Sequence, residues 1–137
     1  MHHWLLKTEP DEFSWDDLCA RGAAGEPWTG VRNHQAAKFL RQMAVGDSAY
    51  VYHTGNERRL VGVAEIVRAH YPDPGDASGR FVAVDVRAVA ALAAPVTLAA
   101  IKAEPALADF LLVRQSRLSV MPVTAAERRV LERLARA

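Results

Sequence analysis

Ser48-Ala49-Tyr50-Val51-Tyr52-His53-Thr54, followed after a short link by Val61-Gly62-Val63-Ala64-Glu65-Ile66-Val67, decides the fold. In the first run Tyr50 and Tyr52 share one face and Val51 and His53 the other, which is the two-residue period of a strand. The second run belongs to a longer strand over 60–70 and is rich in β-branched side chains (Val61, Val63, Ile66, Val67) that suit a pleated surface. The link, opening at Gly55-Asn56, is short, so the two strands pair antiparallel. Gly62 inside the second strand calls for a bulge or for the close approach of another group.

Outward from this pair, further strands appear on both sides. Phe81 to Val89 alternates, with Val82, Val84 and Val86 inward and Ala83, Asp85 and Arg87 outward, then fades over 90–94 into Pro95. The intervening Pro72-Asp73-Pro74-Gly75-Asp76-Ala77-Ser78-Gly79 is a loop by composition. Upstream, Trp4-Leu5-Leu6-Lys7 reads as a short buried strand stopped by Glu9-Pro10; downstream, Leu118-Ser119-Val120-Met121 reads as a last strand stopped by Pro122. Helices fill the gaps. Ser14 is a suitable N-cap for one, with Asp16 and Asp17 in its first turn. Ala36, Phe39, Leu40 and Met43 form one helical face of a second, for which Asn33 is a suitable N-cap. Thr97 to Lys102 is a third, and Ala106 to Phe110 adds a turn. Thr124 and Glu127 have capping-box spacing before a last helix with Val130, Leu131 and Leu134 on one face. Strands joined by short links, with helices between and at the ends, predict an α+β fold: a curved or barrel-like antiparallel sheet with peripheral helices, not a parallel doubly wound one.

The 137 residues fit one domain, 1–137, able to bury about two-thirds of its unfolded surface. Hydrophobic residues make up 50% and charged residues 24%, and the net charge of +1 gives no global nucleic-acid footprint, so such a role needs a local basic patch. One cysteine, Cys19, excludes an internal disulfide and a Cys-rich zinc module; it fits a reducing cytoplasm and reads as a small packed hydrophobe. No apolar run approaches the ~20 residues of a membrane span, and no basic stretch followed by an apolar segment marks a signal peptide, so no membrane association is expected. Phosphate-cradling glycine loops, HExxH, spaced Cys/His sets and GxSxG are absent, so no cofactor, metal or serine nucleophile is expected.

Trp28-Thr29-Gly30-Val31-Arg32-Asn33-His34-Gln35 places an aromatic, a glycine, an arginine and an asparagine together ahead of a helix. Such a set suits a pocket for a flat polar ring: the indole stacks, the amide reads a donor–acceptor edge, the guanidinium supplies charge. Asn33 serves equally as the helix cap. Lys7, Arg32, Arg58, Arg59, Arg114 and Arg117 either line a phosphate path or form solvated surface.

The chain resembles EVE-domain proteins, members of the PUA-like superfamily. The resemblance rests on Trp4 to Pro10, Trp28 to Ala36, Val45-Gly46-Asp47, Tyr52 to Glu57, Val61 to Val67, Tyr71 to Pro74 and Arg117 to Val123. It implies a PUA-like antiparallel β pseudo-barrel with peripheral helices, and a pocket related to those of YTH domains, which read modified bases. Carried onto this sequence, the ligand-binding residues are Lys7, Thr8, Trp28, Val31, Arg32, Asn33, Tyr52, His53, Thr54, Leu118 and Ser119, with Lys7, Arg32 and Arg117 toward phosphate or sugar. Thr8 and Thr54 stand where Ser is common in the family, His34 where Tyr is usual and Met121 where Gln is usual. The function expected is non-catalytic: a monomeric reader of DNA or RNA that holds a single modified base. The alternatives are an enzyme using His53 as acid–base and Arg32 as anion clamp, or a small-molecule sensor with the same pocket.

Overall fold

The computed structural model describes residues 1–136. In chain order the elements are β1 (His3–Thr8), α1 (Trp15–Ala20), β2 (Glu26–Trp28), α2 (His34–Gln42), β3 (Ser48–His53), β4 (Arg59–Pro72), β5 (Val82–Thr97), α3 (Leu98–Lys102), α4 (Leu111–Arg114), β6 (Val120–Val123) and α5 (Ala125–Ala135), with 3₁₀ turns at Gly22–Ala24 and Pro105–Leu107. The strands form one six-stranded sheet in the order β2-β5-β4-β3-β1-β6.

The expected antiparallel pair is β3 with β4, with Tyr50 opposite Val63 and Val51 opposite Gly62. Gly62 satisfies both readings of its position. The β4–β5 register shifts between Leu60 and Gly62, and a Cβ on Gly62 would lie 2.5 Å from the Trp15 ring, so the indole at the start of α1 lies on bare backbone. β4 and β5 carry four register shifts between them, which bend and twist the ribbon. The curvature has a measure: α2 packs against β4, β5 and β6. In a flat sheet β5 and β6 would lie about 19 Å apart, at about 4.8 Å per strand, wider than a helix of about 10–12 Å. The sheet therefore curls around α2, the expected barrel-like form.

Three details differ from the sequence expectations. β1 pairs with β3 parallel, His3 opposite Ser48 through Thr8 opposite His53, so the sheet is not wholly antiparallel. Residues 9–47 separate these strands, and α1, β2 and α2 between them supply the long crossover that a parallel pair requires. Second, Pro95 and Pro122 do not end their strands. β5 continues to Thr97 because Pro95 falls in a bulge, between the pairings of Ala91 and Val96, and β6 runs through Pro122 because it is an edge strand paired only with β1. Leu118 and Ser119 accordingly precede β6. Third, Cys19 is exposed, on the outer side of α1 whose buried residues are Trp15 and Leu18.

The caps follow the sequence. Ser14 and Thr124 close capping boxes with Asp17 and Glu127, and Asn33 Oδ1 accepts from the Ala36 N–H at 2.9 Å. The core joins β1, β3 and β6 (Leu5, Leu6, Val51, Val120, Met121) to Leu40 of α2 and Leu131 of α5. Its buried carboxylate, Asp47, accepts from Trp4 Nε1 at 3.0 Å and from the N–H groups of His2 and Ala44. Burial pushes the Asp47 pKa up, but these donors outweigh it and hold the carboxyl below its ordinary value.

Candidate functional site

The end of β1 opens onto a hollow of about 480 Å³, lined by Lys7, Thr8, Glu9, Glu12, Phe13, Arg21, Glu26, Pro27, Trp28 and Thr29. Its walls come from three places. β2 is a three-residue strand held on β5, Trp28 opposite Val84, and it fixes the indole. The loop after β1 brings Phe13 edge-on to Trp28, with ring centroids 6.0 Å apart and planes at 83°. Thr8 holds that loop by donating its hydroxyl to the Phe13 carbonyl at 2.6 Å. The end of α1 contributes Arg21, whose Nε donates to Glu26 Oε1 at 3.0 Å while its guanidinium sits 5.6 Å from the Phe13 ring. The result is two aromatic rings at right angles, rimmed by two cations and three carboxylates. The volume is within the about 300–1,000 Å³ typical of small-ligand sites.

α1 is docked on the sheet through His53. The Trp15 N–H donates to His53 Nε2 at 3.0 Å, so the ring proton resides on Nδ1, which donates to Glu57 Oε1 at 2.9 Å. The hydrogen bond from His53 is the main cause that lowers the Glu57 pKa. His53 is buried and both its nitrogens are engaged by protein groups.

A second hollow, about 310 Å³, lies on the other side of Lys7. It is lined by Lys7, Tyr52, Thr54, Gly55, Arg58, Leu98, Lys102, Leu112 and Ser116. The half-buried Lys7 donates from Nζ to the Ser116 carbonyl at 2.9 Å and lies 5.7 Å from the Tyr52 ring; burial pushes its pKa down. Thr54 donates its hydroxyl to Glu9 Oε2 at 3.1 Å and its N–H to the Thr8 carbonyl, fastening the two chain segments between the hollows.

The structure thus brings Lys7, Thr8 and Trp28 around one hollow, and Lys7, Tyr52 and Thr54 around the other. Val31, Arg32, Asn33, His53, Leu118, Ser119 and Arg117 line neither. Val31 and Leu118 are buried in the core, Ser119 accepts the Lys7 N–H through its carbonyl at 2.9 Å, and Arg117 is exposed. Arg32 donates to Asp73 Oδ2 at 2.9 Å, and the same carboxylate accepts from Gly30 N–H and Gly75 N–H, both at 2.8 Å. Burial works to raise the Asp73 pKa, yet these donors keep it below its ordinary value. Phe13, Arg21 and the three glutamates were missed by sequence reasoning. Phe13 precedes an N-cap, where an apolar residue reads as a hydrophobic staple, and Arg21 and Glu26 meet only because Gly22–Ala24 turns the chain back.

A curled α+β sheet with helices around it and an aromatic-walled hollow at the end of its first strand defines the class of small β-barrel-like α+β domains. Within that class the family is shown: the model of the EVE domain matches residues 2–134, and the chain belongs to the EVE-domain family. Among solved structures, Rpa0253 from Rhodopseudomonas palustris is 53% identical with a TM-score of 0.93, covering 98% of this chain and 93% of that one. The human THYN1 protein, solved in complex with 5-methylcytosine containing DNA, is 30% identical with a TM-score of 0.93, covering 100% of this chain and 99% of that one. Thymocyte nuclear protein 1 from Gallus gallus is 43% identical over 81 residues, which are 52% of this chain and 34% of that protein. The chain therefore spans about a third of the length of the curated relatives it matches. No helix among the described residues is long and apolar enough to cross a membrane.

Proposed function

We propose that this chain is a non-catalytic nucleic-acid-binding domain that holds one modified base, flipped or presented unpaired, in the hollow that Trp28 and Phe13 line. The observation that carries this reading is the pairing of an aromatic wall with a polar edge in one ligand-sized space. Stacking on an aromatic side chain contributes about 1–3 kcal/mol per base and tolerates any base, so selectivity must come from the edge. Glu12 and the Thr8 hydroxyl supply acceptors there, which suit the exocyclic amino group of a cytosine- or adenine-type base. Lys7, which forms no ion pair among the described residues, supplies the positive charge that a phosphodiester next to the base requires, while Arg21 is taken by Glu26. The human relative solved with 5-methylcytosine containing DNA supports the same reading. His53, the acid–base group of the enzyme alternative, is engaged on both nitrogens by the Trp15 N–H and Glu57, which favours binding over turnover.

The test is a titration of short oligonucleotides carrying one modified cytosine or adenine against their unmodified counterparts, by fluorescence anisotropy. At least one modified oligonucleotide is expected to bind more tightly than its counterpart, and Phe13→Ala is expected to weaken binding of both by about tenfold, a loss within the stacking range. Equal affinity across the whole panel, with Phe13→Ala silent, would falsify base reading.

A further inference from the structure

We infer that the second hollow, beyond Lys7, is a phosphate site for the strand whose base occupies the first; this rests on the base-reading proposal above. Lys7, Arg58 and Lys102 converge on it, and none of the three forms an ion pair among the described residues. Arg58, Leu98 and Lys102 also line an adjoining hollow of about 330 Å³, so the cationic surface continues outward. The nearby carboxylate, Glu57, is already held by His53 and Arg59. Glu9 lies on the far side of Thr54, whose hydroxyl it receives. No carboxylate is among the residues that line this hollow.

A second, independent feature is the backbone of Arg58. It has φ of +46°, the single non-glycine residue with positive φ among the described residues. L residues avoid this region, and one held there marks a place where the surrounding structure over-determines the conformation. Its carbonyl is fixed by the Leu98 N–H at 2.8 Å, tying the β3–β4 turn to the first turn of α3, the helix that carries Lys102. Glycine would fit the backbone better and would remove the cation. An arginine there keeps a cation in the lining that it shares with Lys102.

Lys7 makes the two hollows one path, since it lines both. A strand with its base in the first hollow places an adjacent phosphate at Lys7 and a further one at Arg58 and Lys102. These contacts carry no sequence information, so they set affinity and salt dependence while the first hollow sets base preference. Phosphate chemistry could also come from a free anion, and the experiment separates the two sources.

Wild type, Arg58→Ala/Lys102→Ala and Arg58→Lys are titrated with modified and unmodified single-stranded oligonucleotides across a salt series. Amide shifts are followed by NMR with inorganic phosphate as a separate ligand. Both substituted residues are exposed, so the fold is expected to persist, which a thermal melt verifies. The double variant should bind every oligonucleotide about tenfold more weakly at low salt. Its slope of log K against log salt should be shallower by about 1.4, two contacts at about 0.7 each for single strands. Its modified-to-unmodified ratio should equal that of wild type, and Arg58→Lys should restore the wild-type slope. An unchanged slope with tight wild-type binding overturns the phosphate site and leaves base reading standing. Inorganic phosphate shifting the Arg58, Leu98 and Lys102 amides while the slope stays unchanged assigns the hollow to a free anion and overturns the strand path. Wild type that binds no oligonucleotide overturns both proposals together.

Discussion

Trp28 closes an edge strand and lines an open hollow, whereas Arg32, a single helical turn's worth of residues later, is clamped on a buried carboxylate. Sequence places them in one polar-aromatic stretch with the same apparent purpose. In the structure the stretch divides at Gly30, whose φ of +83° turns the chain and whose N–H goes to Asp73. Before the turn, side chains face the hollow. After it, Arg32 binds Asp73 and Asn33 caps α2, so polar groups that resemble a recognition set hold two loops and a helix in place. Polar residues crowded beside an aromatic thus announce a demand for hydrogen bonds, and only the third dimension says whether ligand or backbone meets it.

The division can be broken most severely at Asp73. Asp73→Ala leaves two backbone N–H groups and Arg32 without their acceptor and is expected to cost about 3 kcal/mol in urea unfolding. If it instead left stability intact and abolished nucleic-acid binding, the scaffold assignment of the Arg32 half would be wrong. Acid offers a milder version of the same cut. The Asp73 pKa is depressed in the folded state, so its contribution is fully present above the ordinary carboxylate value of about 3.9 and is lost as pH falls through the lower folded value. An acid titration of stability should therefore be flatter for Asp73→Asn than for wild type in that window.

Gly62→Ala probes the other half. A methyl 2.5 Å from the Trp15 ring forces α1 off the sheet, at an expected cost of about 2 kcal/mol. Because α1 carries Arg21 and follows Phe13, the same variant should show altered chemical shifts around the first hollow, while the Arg32–Asp73 loops keep theirs. The smallest effect is expected from Asn33→Ala, about 1 kcal/mol for a lost N-cap. A change in base preference accompanying it would move Asn33 across the division and back among the recognition residues.

Much of the architecture was legible because it is local. The period-2 runs at 48–54 and 81–89, the capping residues Ser14, Asn33 and Thr124, and the anomaly of Gly62 each express a constraint within a few residues. What stayed hidden is non-local. Nothing in Trp4-Leu5-Leu6-Lys7 tells a strand that its neighbour β3 runs parallel to it. Pro95 and Pro122 read as strand ends because the sequence does not say that one falls in a bulge and the other on an edge. The site divides in the same way. Trp28 and Lys7 stood out by type and context, and the resemblance to a family added Thr8 and placed the three together. Phe13 and Arg21 did not, since their roles exist only once the 3₁₀ turn at Gly22–Ala24 and the docking of α1 fold them against β2.

The three indoles occupy unlike surroundings: Trp4 is bonded to Asp47, Trp15 is pressed on Gly62, and Trp28 alone borders the first hollow. The protein consequently carries its own optical probe. A ring entering beside Trp28 would quench one emitter against two steady ones, so occupancy of the hollow can be followed without any label, and the unquenched remainder reports whether the core stays closed.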